Sequence, residues 1–153
     1  MSLNINSFGL STVQGKLDEQ HNPSTFPAQI DSSSAGNLVP GQAVKIVDSA
    51  GGVPKVVECA ANSDDVFGFI NYDIKSQAFN AGDRVELSAF RGNVMYMTAS
   101  AAIARNAKVS IVISGSKVVT ASTGLTIVGR ALDKASANGD LIRVMIDLPG
   151  TTA

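Results

Sequence analysis

The sequence holds one cysteine, one histidine and no tryptophan in 153 residues, and only 5% of it is aromatic. A lone Cys59 excludes an internal disulfide and any zinc site built from several cysteines. A lone His21 excludes chemistry that needs two imidazoles. Charge is scarce, 16% of residues against a usual ~25%. Its 12 Lys+Arg and 13 Asp+Glu nearly cancel, leaving no positive excess to neutralise phosphates, so no nucleic-acid partner is expected. Apolar runs fall far short of the ~20 residues that span a bilayer. Met1-Ser2-Leu3-Asn4-Ile5-Asn6 has no basic region and no apolar stretch after it, so neither export nor a membrane is expected. What is present is 44% hydrophobic residues, enough for a single domain that buries roughly 70% of its unfolded surface.

The chain divides into an extended arm over residues 1–37, a β-barrel-like domain over 38–148 and a short tail over 149–153. The arm holds Asn4, Asn6, Asn22, Pro23, Pro27 and the run Ser32-Ser33-Ser34 without a sustained period of 2 or 3.6. Apolar side chains are nevertheless spread through it: Ile5, Phe8, Leu10, Val13, Leu17, Phe26 and Ile30. A flexible linker would lack them. They suit a segment that gains order on another surface, its own or a neighbour's, or a frayed tail followed by one irregular strand.

From Leu38 onward the pattern is β. Ala43 to Asp48 and Val53 to Glu58 are β-branched runs around Ala50-Gly51-Gly52, a hairpin in which glycine supplies positive φ. Val85, Leu87 and Ala89 alternate with Arg84, Glu86 and Ser88, and Ile142, Val144 and Ile146 with Arg143, Met145 and Asp147; each reads as a strand with one face in a core. Arg91-Gly92-Asn93 turns into Val94 to Met97, and Ser114-Gly115-Ser116 separates two further strands. Val94-Met95-Tyr96-Met97 is either buried on both faces or presents one as a contact surface. Alanine-rich Ser100 to Arg105 is the one stretch with helical propensity. Short, evenly spaced strands with glycine turns predict an all-β sandwich or small barrel.

The domain also resembles itself. Val56-Val57 after Lys55 recurs as Val118-Val119 after Lys117, and Val66-Phe67-Gly68 as Ile127-Val128-Gly129. Ala81-Gly82-Asp83-Arg84-Val85 recurs as Asn138-Gly139-Asp140-Leu141-Ile142. The offset falls from 62 to 61 to 57 residues, as loops of the second copy shorten. Two such halves could close into one pseudo-symmetric barrel and remove exposed sheet edges. Gly41, Gly68, Gly82, Asp83, Gly129, Gly139 and Asp140 are expected to shape its turns.

Candidates for chemistry each have a plainer reading. His21 has no legible partner that would make it a general base. Cys59 follows an apolar run without a basic neighbour and reads as a small buried hydrophobe. Asp64-Asp65 lacks the further acidic ligands of a calcium loop and reads as a turn. Asp83 and Asp140 could form an acid/base dyad, but each precedes a strand, where an aspartate caps a turn. No phosphate loop or dinucleotide fingerprint occurs. No enzyme activity, metal or cofactor is expected.

Several segments occur in the order seen in one family. Pro40-Gly41-Gln42-Ala43-Val44-Lys45, Val66-Phe67-Gly68-Phe69-Ile70 and Ala81-Gly82-Asp83-Arg84-Val85 are followed by Met95-Tyr96-Met97-Thr98-Ala99, Val128-Gly129-Arg130-Ala131-Leu132-Asp133-Lys134 and Gly139-Asp140-Leu141-Ile142-Arg143-Val144. Over residues 28–148 the chain resembles the small capsid decoration, or head cement, proteins of tailed bacteriophages. Asn106-Ala107 stands where Gly-Ala is expected, and asparagine tolerates positive φ. The resemblance implies a structural virion protein made in the bacterial host cytoplasm and bound to the outer capsid surface. Its partners would be the major capsid protein and copies of itself, as a trimer or dimer. Phe8, Leu10, Val13, Leu17, Phe26 and Ile30 are the candidates for contact with capsid or neighbour. Two alternatives from other classes are a ligand-binding β module, such as a polysaccharide-binding virion domain using Tyr72 and Tyr96, and a hydrolase using Asp83 and Asp140.

Overall fold

The computed structural model describes residues 14–15, 24–49, 52–73, 75–112 and 116–152. These form ten strands: β1 (Phe26–Ile30), β2 (Ala43–Asp48), β3 (Lys55–Glu58), β4 (Gly68–Ile70), β5 (Arg84–Ser88), β6 (Val94–Thr98), β7 (Lys108–Ile111), β8 (Val118–Thr120), β9 (Thr126–Ala131) and β10 (Leu141–Thr152). The fold is all-β, with no helix among the described residues. Alternation sets the faces: Val85 and Leu87 of β5 and Ile142, Val144 and Ile146 of β10 are buried, while Arg84, Glu86, Met145 and Asp147 point outward.

The first five strands close into a barrel in the order β1-β3-β2-β4-β5, β1 pairing parallel to β3 and antiparallel to β5. The last five form a sheet in the order β6-β10-β9-β7-β8. Numbering each half from its own first strand gives the same cyclic order. The second unit is therefore the first barrel opened at one seam, where β6 and β8 meet at the parallel bridge Ala99↔Val118. Loop hydrogen bonds repeat as well. Ile30 N–H donates to Asp83 O at 2.9 Å and Ala99 N–H to Asp140 O at 2.8 Å; Gly41 N–H donates to Ile70 O and Asn106 N–H to Ala131 O, both at 2.7 Å. Gly41 has φ +81° and Asn106 φ +68°, so asparagine does hold the left-handed turn that glycine holds in the first copy. The internal repeat is thus a pair of similar β units, a closed barrel and a five-stranded sheet, and not two halves of one shared barrel.

Other boundaries differ from the sequence reading. β1 lies inside the expected arm, yet it is a barrel strand, with Ala28 and Ile30 at 1% exposure. Pro27 fits because β3 joins only from Gln29 onward, so the missing donor precedes that ladder. β10 runs through Thr152, into the expected tail, after a register shift between Ile146 and Thr151. The alanine-rich stretch 100–105 is irregular: Ile103 is buried and pairs with Ala135, and that tertiary contact overrides helix propensity. Gly68 and Gly129 shape no turn; they lie within β4 and β9. A Cβ on Gly129 would stand 2.4 Å from Met145 O, and one on Gly68 3.1 Å from Ser88 O. They are small because a neighbouring backbone approaches closely. Gly82 and Gly139, with φ +89° and +96°, do occupy turns.

Two apolar clusters fill the molecule. One lies inside the first barrel and includes Ile30, Val44, Val56, Ile70 and Leu87. The other fills the second unit and takes in Ala43, Cys59, Val66 and Phe69 from the first. The two units are thus joined by a buried apolar interface. In β4 every side chain is buried, since Ile70 and Phe69 point to opposite faces and each face meets a core.

Candidate functional site

The groups considered for catalysis are engaged in holding the fold. Asp83 Oδ2 accepts from Asn80 N–H at 2.7 Å, and Asp140 Oδ2 accepts from Ser136 N–H at 2.6 Å and Ala137 N–H at 3.0 Å. They lie in separate units, each bonded within its own turn. Asp64 accepts from Ala60 N–H, Ala61 N–H and Lys45 Nζ; the Ala61 N–H, more than the Lys45 ammonium, holds its carboxyl below the ordinary range. Burial pushes the Cys59 thiol up to about 12, so it is a poor nucleophile. Among the described residues no group of three His, Cys, Asp or Glu could hold a metal ion. His21, Phe8, Leu10, Val13 and Leu17 lie outside the described residues. Ile30 is committed to its own barrel core and presents no contact surface, while Phe26 is half-buried, with its ring 5.4 Å from Phe67 and 6.4 Å from Phe90.

Three features of the surface bear on association. The first is a clip made by Gln14 and Gly15. Gly15 N–H donates to Tyr96 O at 2.7 Å and Gly15 O accepts from Tyr72 N–H at 2.9 Å. The Gln14 amide nitrogen donates to Pro40 O at 3.0 Å and Ser116 O at 2.8 Å, and its oxygen accepts from Thr98 Oγ1. The dipeptide bridges both units at the open seam between β6 and β8. Gly15 has φ +78°, and a Cβ there would lie 2.4 Å from Gly41 N, so only glycine fits. These two residues of the expected arm lie on their own chain.

The second is a cleft of about 380 Å³ between the units, lined by Lys45, Ile46, Val66, Phe67, Leu148 and Pro149, with Asp65 at its wall. Ile46 and, at the end of β5, Phe90 are 43% and 44% exposed. The third is a row of cross-strand neighbours on the outer face of the second unit. Lys108 of β7 opposes Arg130 of β9, which opposes Met145 of β10. The equivalent row of the first unit is Ala43, Phe69 and Ser88, all at 0% exposure because the second unit covers that face. On the second unit the row is open: Lys108 is exposed, Arg130 half-buried and Met145 36% exposed. Sequence reasoning found neither row, because both depend on register across strands distant in the chain; the charge at Lys108 and Arg130, where the first copy has alanine and phenylalanine, is the signal that was available.

Comparison with known proteins agrees with this picture. The chain is similar in fold to the head fiber gp8.5 N base of bacteriophage phi29, with a TM-score of 0.53 at 14% identity, covering 85% of this chain and 98% of that one. No curated protein matches it. The XM1 gp53 minor capsid protein family matches residues 4–146, which takes in the clip, the first unit and the second as far as Ile146 of β10. The chain therefore belongs to the XM1 gp53 minor capsid protein family and is a capsid-associated structural protein of a bacteriophage.

Proposed function

We propose that the chain is a decoration, or cement, protein: it binds the outside of the assembled head, bridges major capsid subunits and associates with copies of itself. The observation that carries this reading is the Gln14–Gly15 clip. It fixes Gln14 and Gly15 on the folded body. Residues 1–13, before it in the sequence, contain no charged side chain and carry Leu3, Ile5, Phe8, Leu10 and Val13. A fully extended stretch of thirteen residues would span about 43–47 Å at most, far enough to lie on a neighbouring subunit. Phe8, Leu10 and Val13, with Leu17 beyond the clip, are the contacts proposed for the shell.

The stabilising mechanism is mass action. A ligand that binds the assembled shell and not its separated subunits stabilises the shell by RT ln(1 + [L]/Kd), ~2.7 kcal/mol per site at a hundredfold excess over Kd. Many sites multiply that term into resistance to rupture. The test is co-sedimentation with purified expanded heads, comparing the full chain with one beginning at Gln14, which keeps β1 and the clip. The full chain should pellet saturably, and the shortened chain should bind at least about ten-fold more weakly, a difference of ~1.4 kcal/mol. Equal binding by the two would remove the leader from the contact; failure of both to pellet would remove the cement role.

A further inference from the structure

The open row of the second unit has an unusual arrangement of charge. Lys108 and Arg130 are directly opposed register partners, and like charges placed so destabilise a sheet. Among the described residues neither is paired with a carboxylate; Arg130 Nη1 donates to the Asn106 side-chain oxygen at 3.0 Å. Met145 adds an exposed apolar side chain beside Arg130. The two units also differ in sign. Residues 24–92 hold five Lys+Arg against eight Asp+Glu, net −3, and residues 93–152 hold six against three, net +3.

The inter-unit cleft has the complementary chemistry. Ile46, Phe67 and Pro149 line it, and Asp65 beside them is exposed. Its neighbour Asp64 already neutralises Lys45 at 3.0 Å, so the cleft's own cation is spent and Asp65 is left to meet another. From this we infer that the row Lys108–Arg130–Met145 of one copy docks on the inter-unit cleft of a second copy. Met145 enters between Ile46, Phe67 and Pro149, and the two cations face Asp65. This inference rests on the self-association proposed above and assigns its two surfaces. Because the surfaces differ, the contact is head-to-tail, and it makes a ring if the rotation closes.

The test is sedimentation equilibrium of the full chain in solution, with no heads present, at low and high salt. The natural chain should self-associate, more weakly as salt screens the charges. Lys108→Glu with Arg130→Glu should weaken association by about ten-fold or more, as should Asp65→Lys alone. A chain carrying all three changes, with the charges exchanged, should recover association. Thermal unfolding of each dilute variant checks that these surface changes leave the fold intact. A natural chain that stays monomeric, reversals without effect, or a triple variant no better than its parents would each overturn the inference. A chain beginning at Gln14 should associate unchanged; loss of association would give the cleft to the leader instead and overturn it too. Head binding is read separately by co-sedimentation, so either idea can fail while the other stands.

Discussion

The rows Ala43–Phe69–Ser88 and Lys108–Arg130–Met145 occupy the same place in two copies of one β unit, and they meet opposite surroundings. In the first copy the face is apolar and covered by the second unit. In the second copy nothing among the described residues covers it, and it carries two cations and a methionine. The same contrast holds at the seam: the first barrel closes through a β1–β3 ladder, whereas the second closes through one bridge and a borrowed dipeptide. A duplicated fold has two equivalent faces but only one internal interface, so one face is left over. That surplus face, with side chains unlike those of its counterpart, is the one assigned above by proposal to a second copy.

Substitutions can break or sharpen this comparison. The largest effect is expected at Phe69, whose ring enters the second unit's core. Phe69→Ala should cost about 3–5 kcal/mol in urea unfolding, while the equivalent Arg130→Ala should stay within about ±0.5 kcal/mol. Similar values for the two would mean that the faces are not differently used. Next comes the clip. Gly15→Ala places a Cβ against the Gly41 backbone at positive φ and should cost more than ~1 kcal/mol. Its local readout is hydrogen exchange at the Tyr72 amide, which donates to Gly15 O; unchanged protection there would show that the clip contributes nothing to the seam.

A smaller effect separates the units by pH. Asp133 receives Arg143 Nε and Nη2, both at 2.9 Å, and that hydrogen-bonded guanidinium holds its carboxyl below the ordinary range. The first copy has Glu86 where the second has Arg143, so this pair is absent from it. A depressed folded pKa contributes stability that is present above the unfolded value of ~3.9 and is lost as pH falls through the folded one. Asp133→Asn should therefore flatten the acid limb of stability below about pH 4. An acid limb identical to that of the natural chain would discount the pair. The smallest effect is a gain. Lys108→Glu replaces a like-charge pair with a complementary one and should raise stability by about 0.2–1 kcal/mol, as measured by thermal unfolding, while weakening self-association. A fall in stability would contradict the reading of Lys108 and Arg130 as opposed cations.

Much of the fold was legible where one strand face meets water. β5 and β10 show their alternation directly, and the Gly82-Asp83 and Gly139-Asp140 turns announce the repeat. β1 was not legible: five residues with proline in second place carry little periodic signal, and only pairing with β3 and β5 makes them a strand. Ile30 looked like a contact residue for the same reason. The stretch 100–105 has helical propensity, but the buried Ile103 is anchored to Ala135 across the chain. Phe69 sits in a continuous apolar run, and such a run cannot say whether its second face meets another unit or a partner. The candidate site was not legible, because the meeting of Lys108, Arg130 and Met145 depends on register across β7, β9 and β10.

The most direct measurement is a titration of purified, DNA-free expanded heads with the full chain, reading bound copies per head and the temperature at which the heads rupture. Binding should saturate at a fixed number of sites, and the rupture temperature should climb with occupancy until it levels off. Heads that bind no chain, or saturated heads that rupture at the temperature of bare ones, would contradict a role in holding the shell together.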